Sequence, residues 1–137
     1  MDEETLRANV RAANRNWLAS VQKQTFEMDY DAGADVLYAS FGPPQEAFSM
    51  DADSNGSVLL RIKLDTYEIV GFDIISLKEN FLKSSREAEM AFRPILESFG
   101  DGDWFVTISP ASKDTQAIFR LFIPKLISEM AGDLVAA

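Results

Sequence analysis

The sequence predicts an α+β fold: an antiparallel β-meander sheet of about five strands, packed on one face by N-terminal and C-terminal helices. Two observations predict it. Residues 26–75 break into short runs of two-residue apolar period separated by turn chemistry, and the segments on either side carry apolar residues at three- and four-residue spacing. With 137 residues, 47% of them hydrophobic, a single domain is expected, with core enough to fold without a disulfide or metal staple. The organisation reads as an N-terminal helix over 1–25, the meander over 26–76, and a helical extension with one further strand over 77–137.

Leu6, Val10, Ala13, Trp17 and Val21 form one apolar stripe on a helix predicted to run to about Lys23. Asp2 suits its cap, and Glu3 and Glu4 suit the positive end of its dipole. Phe26, Met28 and Tyr30 alternate with Glu27 and Asp29 as in a half-buried strand. Asp31 to Ala34 turns the chain, and Gly33 supplies a residue at ease in the left-handed conformation. Val36 to Phe41 is the second strand, stopped by Gly42-Pro43-Pro44, and Gln45 to Met50 the third. Asn55-Gly56 marks a tight hairpin turn. In the fourth strand Val58, Leu60, Ile62 and Leu64 share a face, and Ile69 to Ile75 returns the chain, with Gly71 marking a bulge or a close approach.

Beyond Ser76 the pattern changes to a short helical turn over Leu77–Lys83 and a helix over Glu87–Phe99, capped by Ser84 or Ser85 and either kinked or divided at Pro94. Trp104 to Ile108 reads as a strand. Lys113 to Ala131 reads as a last helix, bent at Pro124 and stopped at Gly132. Core positions are expected at Trp17, Leu37, Leu60, Ile62, Phe72, Ile74, Trp104, Val106, Phe122 and Leu126.

Composition removes whole classes of chemistry. The chain has no cysteine and no histidine, which excludes thiol nucleophiles, thiolate metal sites, a histidine general base and a Ser-His-Asp triad. Its formal charge of −9 repels phosphate backbones and anionic lipid, so neither nucleic acid nor membrane is expected as a partner. Arg7, Arg11 and Arg15 repeat every four residues, which reads as a solvated helix stripe. The opening Met-Asp-Glu-Glu lacks a basic, apolar leader, and the greasiest segment, 117–127, is interrupted by Arg120, Pro124 and Lys125. A cytoplasmic protein is the expectation.

Three patterns carry candidate chemistry. Asp51-x-Asp53-x-Asn55-Gly56-x-Val58 matches the first half of a calcium loop, with Asp51, Asp53 and Asn55 as the oxygen ligands. Its twelfth position is Ile62 rather than a bidentate Glu, and a hairpin turn accounts for every residue, so the plain turn is favoured over calcium. Ser20-x-x-Lys23 has the spacing of a nucleophile pair without the companion motifs such enzymes need. Asp29, Asp31, Asp35 and Asp73 could gather near the first hairpin for acid–base work, but turn caps and solvated strand faces explain them first. Asp101 and Asp103 read as a polar turn.

Residues Tyr30-Asp31-Ala32-Gly33-Ala34-Asp35-Val36-Leu37-Tyr38, the acidic Gln45-Glu46-Ala47, and Ile69-Val70-Gly71-Phe72-Asp73-Ile74 resemble in order the motifs of the bacterial family catalogued as domain of unknown function 2283. The resemblance spans about residues 30–75. It implies a small β-meander and no established activity.

The leading functional expectation is a non-catalytic protein-interaction or assembly module. The alternative is a small-ligand or weak calcium-binding protein using the turn at 51–56, or a pocket between sheet and helices. A carboxylate-dependent enzyme ranks last. Ile118, Phe119, Leu121, Phe122, Ile123, Leu126, Ile127 and Met130 make the last helix apolar around most of its circumference. Such a helix must be buried on two sides, by the other helices or by a second subunit. A homodimer using this helix or a sheet edge is therefore expected.

Overall fold

The computed structural model describes residues 2–17, 21–52 and 56–123. Six strands form one antiparallel sheet: β1 (Phe26–Asp31), β2 (Val36–Phe41), β3 (Ala47–Asp51), β4 (Val58–Lys63), β5 (Ile69–Ile75) and β6 (Trp104–Ile108). Among the described residues there are four helices. They are α1 (Glu3–Ala13), α2 (Leu77–Phe81, wound as a π-turn and continuing through Leu82–Ser84), α3 (Arg86–Phe99) and α4 (Lys113–Ala117, continuing through Ile118–Phe122). The α+β architecture is the expected one, with β6 as a sixth strand.

The strand order is β3-β4-β5-β2-β1-β6. Hairpin connections join β1 to β2 and β3 to β4 to β5, as a meander requires, but β2 pairs with β5 instead of β3. The connection 42–46 therefore crosses the ends of β5 and β4. Three strand spacings are about 14 Å, within reach of the six Cα steps from Phe41 to Ala47. Gly42 starts the crossing at φ 78°, and its N–H donates to the Thr25 carbonyl at 2.7 Å.

Register divides the sheet into two faces. Phe26, Met28 and Tyr30 stand beside Phe41, Ala39 and Leu37, and these continue to Phe72 and Ile74, then to Leu60 and Val58. All are buried. The helices pack on this face through an aromatic cluster. Phe119 meets Phe26 and Phe41 at 6.2 and 5.9 Å between ring centroids, and Phe122 meets Phe72, Phe81 and Phe92 at 5.6, 6.0 and 5.3 Å. Each fully buried ring is worth roughly 2–3 kcal/mol by area, before its ordering cost. Over 118–123 the apolar girth of α4 is thus met by the sheet on one side and by α2 and α3 on the other. The described part of this helix needs no second subunit, while Leu126, Ile127 and Met130 lie outside the described residues.

Several boundaries differ from the sequence pattern for local reasons. The first helix ends at Ala13, because Asn14 turns inward and takes the buried place in the stripe that Ala13 was expected to fill. The Asn14 amide donates to the carbonyls of Val10 at 2.7 Å and Tyr67 at 2.9 Å, and its oxygen accepts from Ile69 N–H at 2.9 Å. It tethers α1 to the β4–β5 turn, beside Trp17, whose indole N–H donates to the Ile69 carbonyl at 3.0 Å. Leu64 is 58% exposed, since β4 stops at Lys63. Val106 is half-buried on the edge strand, and Leu126 lies outside the described residues. α3 runs through Pro94 to a Gly100 cap at φ 73°. No helix among the described residues is long and apolar enough to cross a membrane.

Candidate functional site

The opposite face of the sheet carries no described helix. Its side chains alternate with the core positions and follow the same register. One cross-strand row reads Phe105, Asp29, Tyr38, Asp73, Leu59, and the next reads Thr107, Glu27, Ser40, Gly71, Arg61. Gly71 leaves a gap in the second row. Its own strand bulges opposite Arg61 and Ile62, so that Val70 is the extra residue and Ile69 still reaches the core. A side chain cannot fill the gap: a Cβ on Gly71 would collide with the Ala39 carbonyl oxygen.

The gap opens into a groove of about 390 Å³, bordered by Tyr38, Phe105, Arg61 and Asp73 and by Pro44 and Gln45 from the crossing connection. Tyr38 and Phe105 are exposed large aromatics. Asp73, by contrast, is only 6% exposed. The Arg61 guanidinium lies 3.8 Å from its carboxylate, an ion pair beyond hydrogen-bonding reach, and Arg61 also points a weak donor at the Ala47 carbonyl. Burial raises the Asp73 carboxyl above its usual range, and the nearby guanidinium offsets this only in part. The Ser40 hydroxyl is occupied, donating to the Gly42 carbonyl at 2.7 Å.

The four aspartates considered together in the sequence separate into two groups. Asp29 and Asp73 stand in one row of the open face, with Tyr38 between them. Asp31 and Asp35 belong to the first turn and do structural work. Asp31 accepts the Ala34 N–H at 3.2 Å. Asp35, not Gly33, takes the left-handed conformation, at φ 55°. Its carboxylate receives the Tyr30 hydroxyl at 2.5 Å and the N–H groups of Lys78 and Glu79 at 2.9 Å each, at the start of α2. Burial pushes the Asp35 carboxyl up, but these donors outweigh it and hold it below its ordinary range. Burial and the same bond push the Tyr30 phenol up. Tyr30 also stacks on Trp104 and lies under the Lys78 ammonium at 5.0 Å. Asp103 ties the first turn to β6 by accepting the Ala32 N–H at 2.7 Å.

Of the calcium-loop candidates, Asp51 is exposed at the end of β3, while Asp53 and Asn55 lie outside the described residues. Ser20 of the Ser-x-x-Lys pattern does too. Among the described residues no group of three carboxylates is placed to hold a metal ion. The groove itself escaped sequence reasoning. Its available signal was a glycine two residues before an aspartate in a strand otherwise built from apolar residues.

No family model, curated protein or solved structure matches the chain.

Proposed function

We propose that this protein is a non-catalytic interaction module that docks a partner polypeptide on the sheet face that carries no described helix. One observation carries the reading. A six-stranded sheet roofed on one side leaves, on the other, a groove flanked by two exposed aromatic side chains. Aromatic anchors beside a pocket are the usual centre of a protein–protein contact. The absence of histidine and cysteine, and the occupied Ser40 hydroxyl, favour binding over catalysis.

The test is site-specific cross-linking in the source cells. A photoreactive phenylalanine at position 105 should capture a partner polypeptide, and the same group at the exposed Glu97 on the helical side should not. Equal capture at both positions, or none at 105, refutes the reading. The proposed homodimer now rests on the outer edge of β6, which carries neither charge nor proline. A monomer mass by light scattering at micromolar concentration removes it.

A further inference from the structure

The groove combines features that select one chemistry. Three carboxylates line it, Glu27, Asp29 and Asp73, against the single guanidinium of Arg61, so it repels anions and attracts cations. Acidic residues alone would not make it a site. The independent observation is Asp73, a carboxylate more than nine-tenths buried that borders the groove and whose nearest charged partner, at 3.8 Å, is too far to hydrogen-bond. Its oxygens are not among the fully buried unpaired polar atoms, so they open to the groove, where water or an entering group supplies the donors. A metal ion does not answer the need, because the described residues present no set of three ligands.

A planar cation does. A guanidinium offers five N–H donors in a fixed fork, matches a carboxylate with two parallel bonds, and stacks on aromatic faces. Tyr38 stands beside Asp73 in its row, and Phe105 closes the far end beyond Asp29. Gly71 adds no side chain to the groove lining between Asp73 and Arg61, and the close pass of the Ala39 carbonyl keeps it so. The groove is open along one side, which favours a side chain carried on a longer chain over a small free molecule needing enclosure. We infer that the groove receives the guanidinium of an arginine side chain presented by a partner polypeptide, with Asp73 as its acceptor and the neighbouring Tyr38 as its stacking wall, while Phe105 borders the part of the groove along which the carrier chain runs. The inference rests on the reading of this face as a docking surface and names what docks there.

The experiment is an amide NMR titration of the full chain with a blocked tripeptide, acetyl-Gly-Arg-Gly-amide. Matched peptides carrying citrulline, which is neutral and nearly isosteric, and free arginine serve as comparisons. The arginine peptide should shift the amides of Tyr38, Gly71, Asp73 and Phe105. The citrulline peptide should bind about tenfold more weakly or worse, and Asp73→Asn should lose the preference between the two. Tyr38→Ala with Phe105→Ala should weaken the arginine peptide several-fold while the spectrum stays folded. Equal binding of arginine and citrulline peptides, or an unchanged preference in Asp73→Asn, overturns the inference. Tighter binding of free arginine than of the blocked peptide overturns the polypeptide assignment. If no peptide binds while position 105 still cross-links a partner, the guanidinium inference falls alone; if both fail, the docking reading falls with it.

Discussion

Asp35 offers the sharpest test of how the first turn is joined to the helices. Its carboxylate accepts from the Tyr30 hydroxyl and from two N–H groups at the start of α2, and its own backbone sits at φ 55°. Asp35→Ala strands all three donors and places a Cβ residue with no polar side chain in the left-handed region. A helix-capping bond is worth about 1 kcal/mol, a bond to a charged acceptor about 1.5–3 kcal/mol, and the left-handed conformation costs alanine about 1 kcal/mol. With allowance for non-additivity the loss should be about 4 kcal/mol. Asp35→Gly removes the same bonds and relieves the backbone, so it should lie about 1 kcal/mol above the alanine variant. Asp35→Asn keeps the turn preference and one acceptor, and should lose about 1–2 kcal/mol. Urea unfolding followed by tryptophan fluorescence measures all three. The pH dependence has a fixed sign. The Asp35 carboxyl is held below its ordinary range, so its stabilisation is present above the unfolded pKa of about 4 and disappears as pH falls through the lower folded value. The gap between wild type and Asp35→Asn should therefore close in acid. An alanine variant within about 0.5 kcal/mol of wild type at neutral pH would refute the reasoning, since surface substitutions alone reach that size.

Asn14→Ala should cost about 3 kcal/mol, because it orphans the buried Ile69 N–H and leaves the Tyr67 carbonyl without its donor; faster hydrogen exchange at the Ile69 amide checks the cause. Gly71→Ala should cost about 2–4 kcal/mol by forcing β5 away from the Ala39 carbonyl, a value read from the same urea transitions. Asp73→Asn should be more stable than wild type at neutral pH. The folded Asp73 carboxyl titrates above its unfolded value, so its contribution is full below the unfolded pKa and is lost as pH rises through the folded one. Thermal melts from acid to neutral pH should show a flatter profile for the variant, and an unchanged slope would argue against the buried carboxylate.

The elements were legible because their signals are local. The two-residue period marked β1, β2, β4 and β5, and Ser85 and Gly100 bound α3 as capping chemistry requires. What stayed hidden depends on contacts distant in sequence. Asn14 reads as an ordinary helix residue until Tyr67 and Ile69 are seen to meet it, more than fifty positions away. The pairing of β2 with β5 cannot be read from either strand. Asp73 falls on the polar side of its strand by alternation, and its burial follows from its place in the sheet, between Tyr38 and Leu59 in register and near Arg61.

Three departures from ordinary strand chemistry fall within four residues of β5: the extra residue Val70, the bare Gly71 and the buried Asp73. Each one costs stability taken alone, through a broken ladder, lost backbone restriction and a desolvated charge. The bulge also turns Ile69 into the core and the close Ala39 carbonyl excludes a side chain at position 71, but nothing in the core demands a carboxylate at position 73. Phe72 and Ile74 would pack inward on a regular strand, and an apolar residue at position 73 would remove the charge without touching the helices. All three border the same groove, on the face that carries no described helix. Natural sequences concentrate such local violations where function requires them. A sheet face built only to be wetted needs no buried carboxylate, whereas a face built to receive a donor-bearing side chain needs the acceptor and an aromatic wall together.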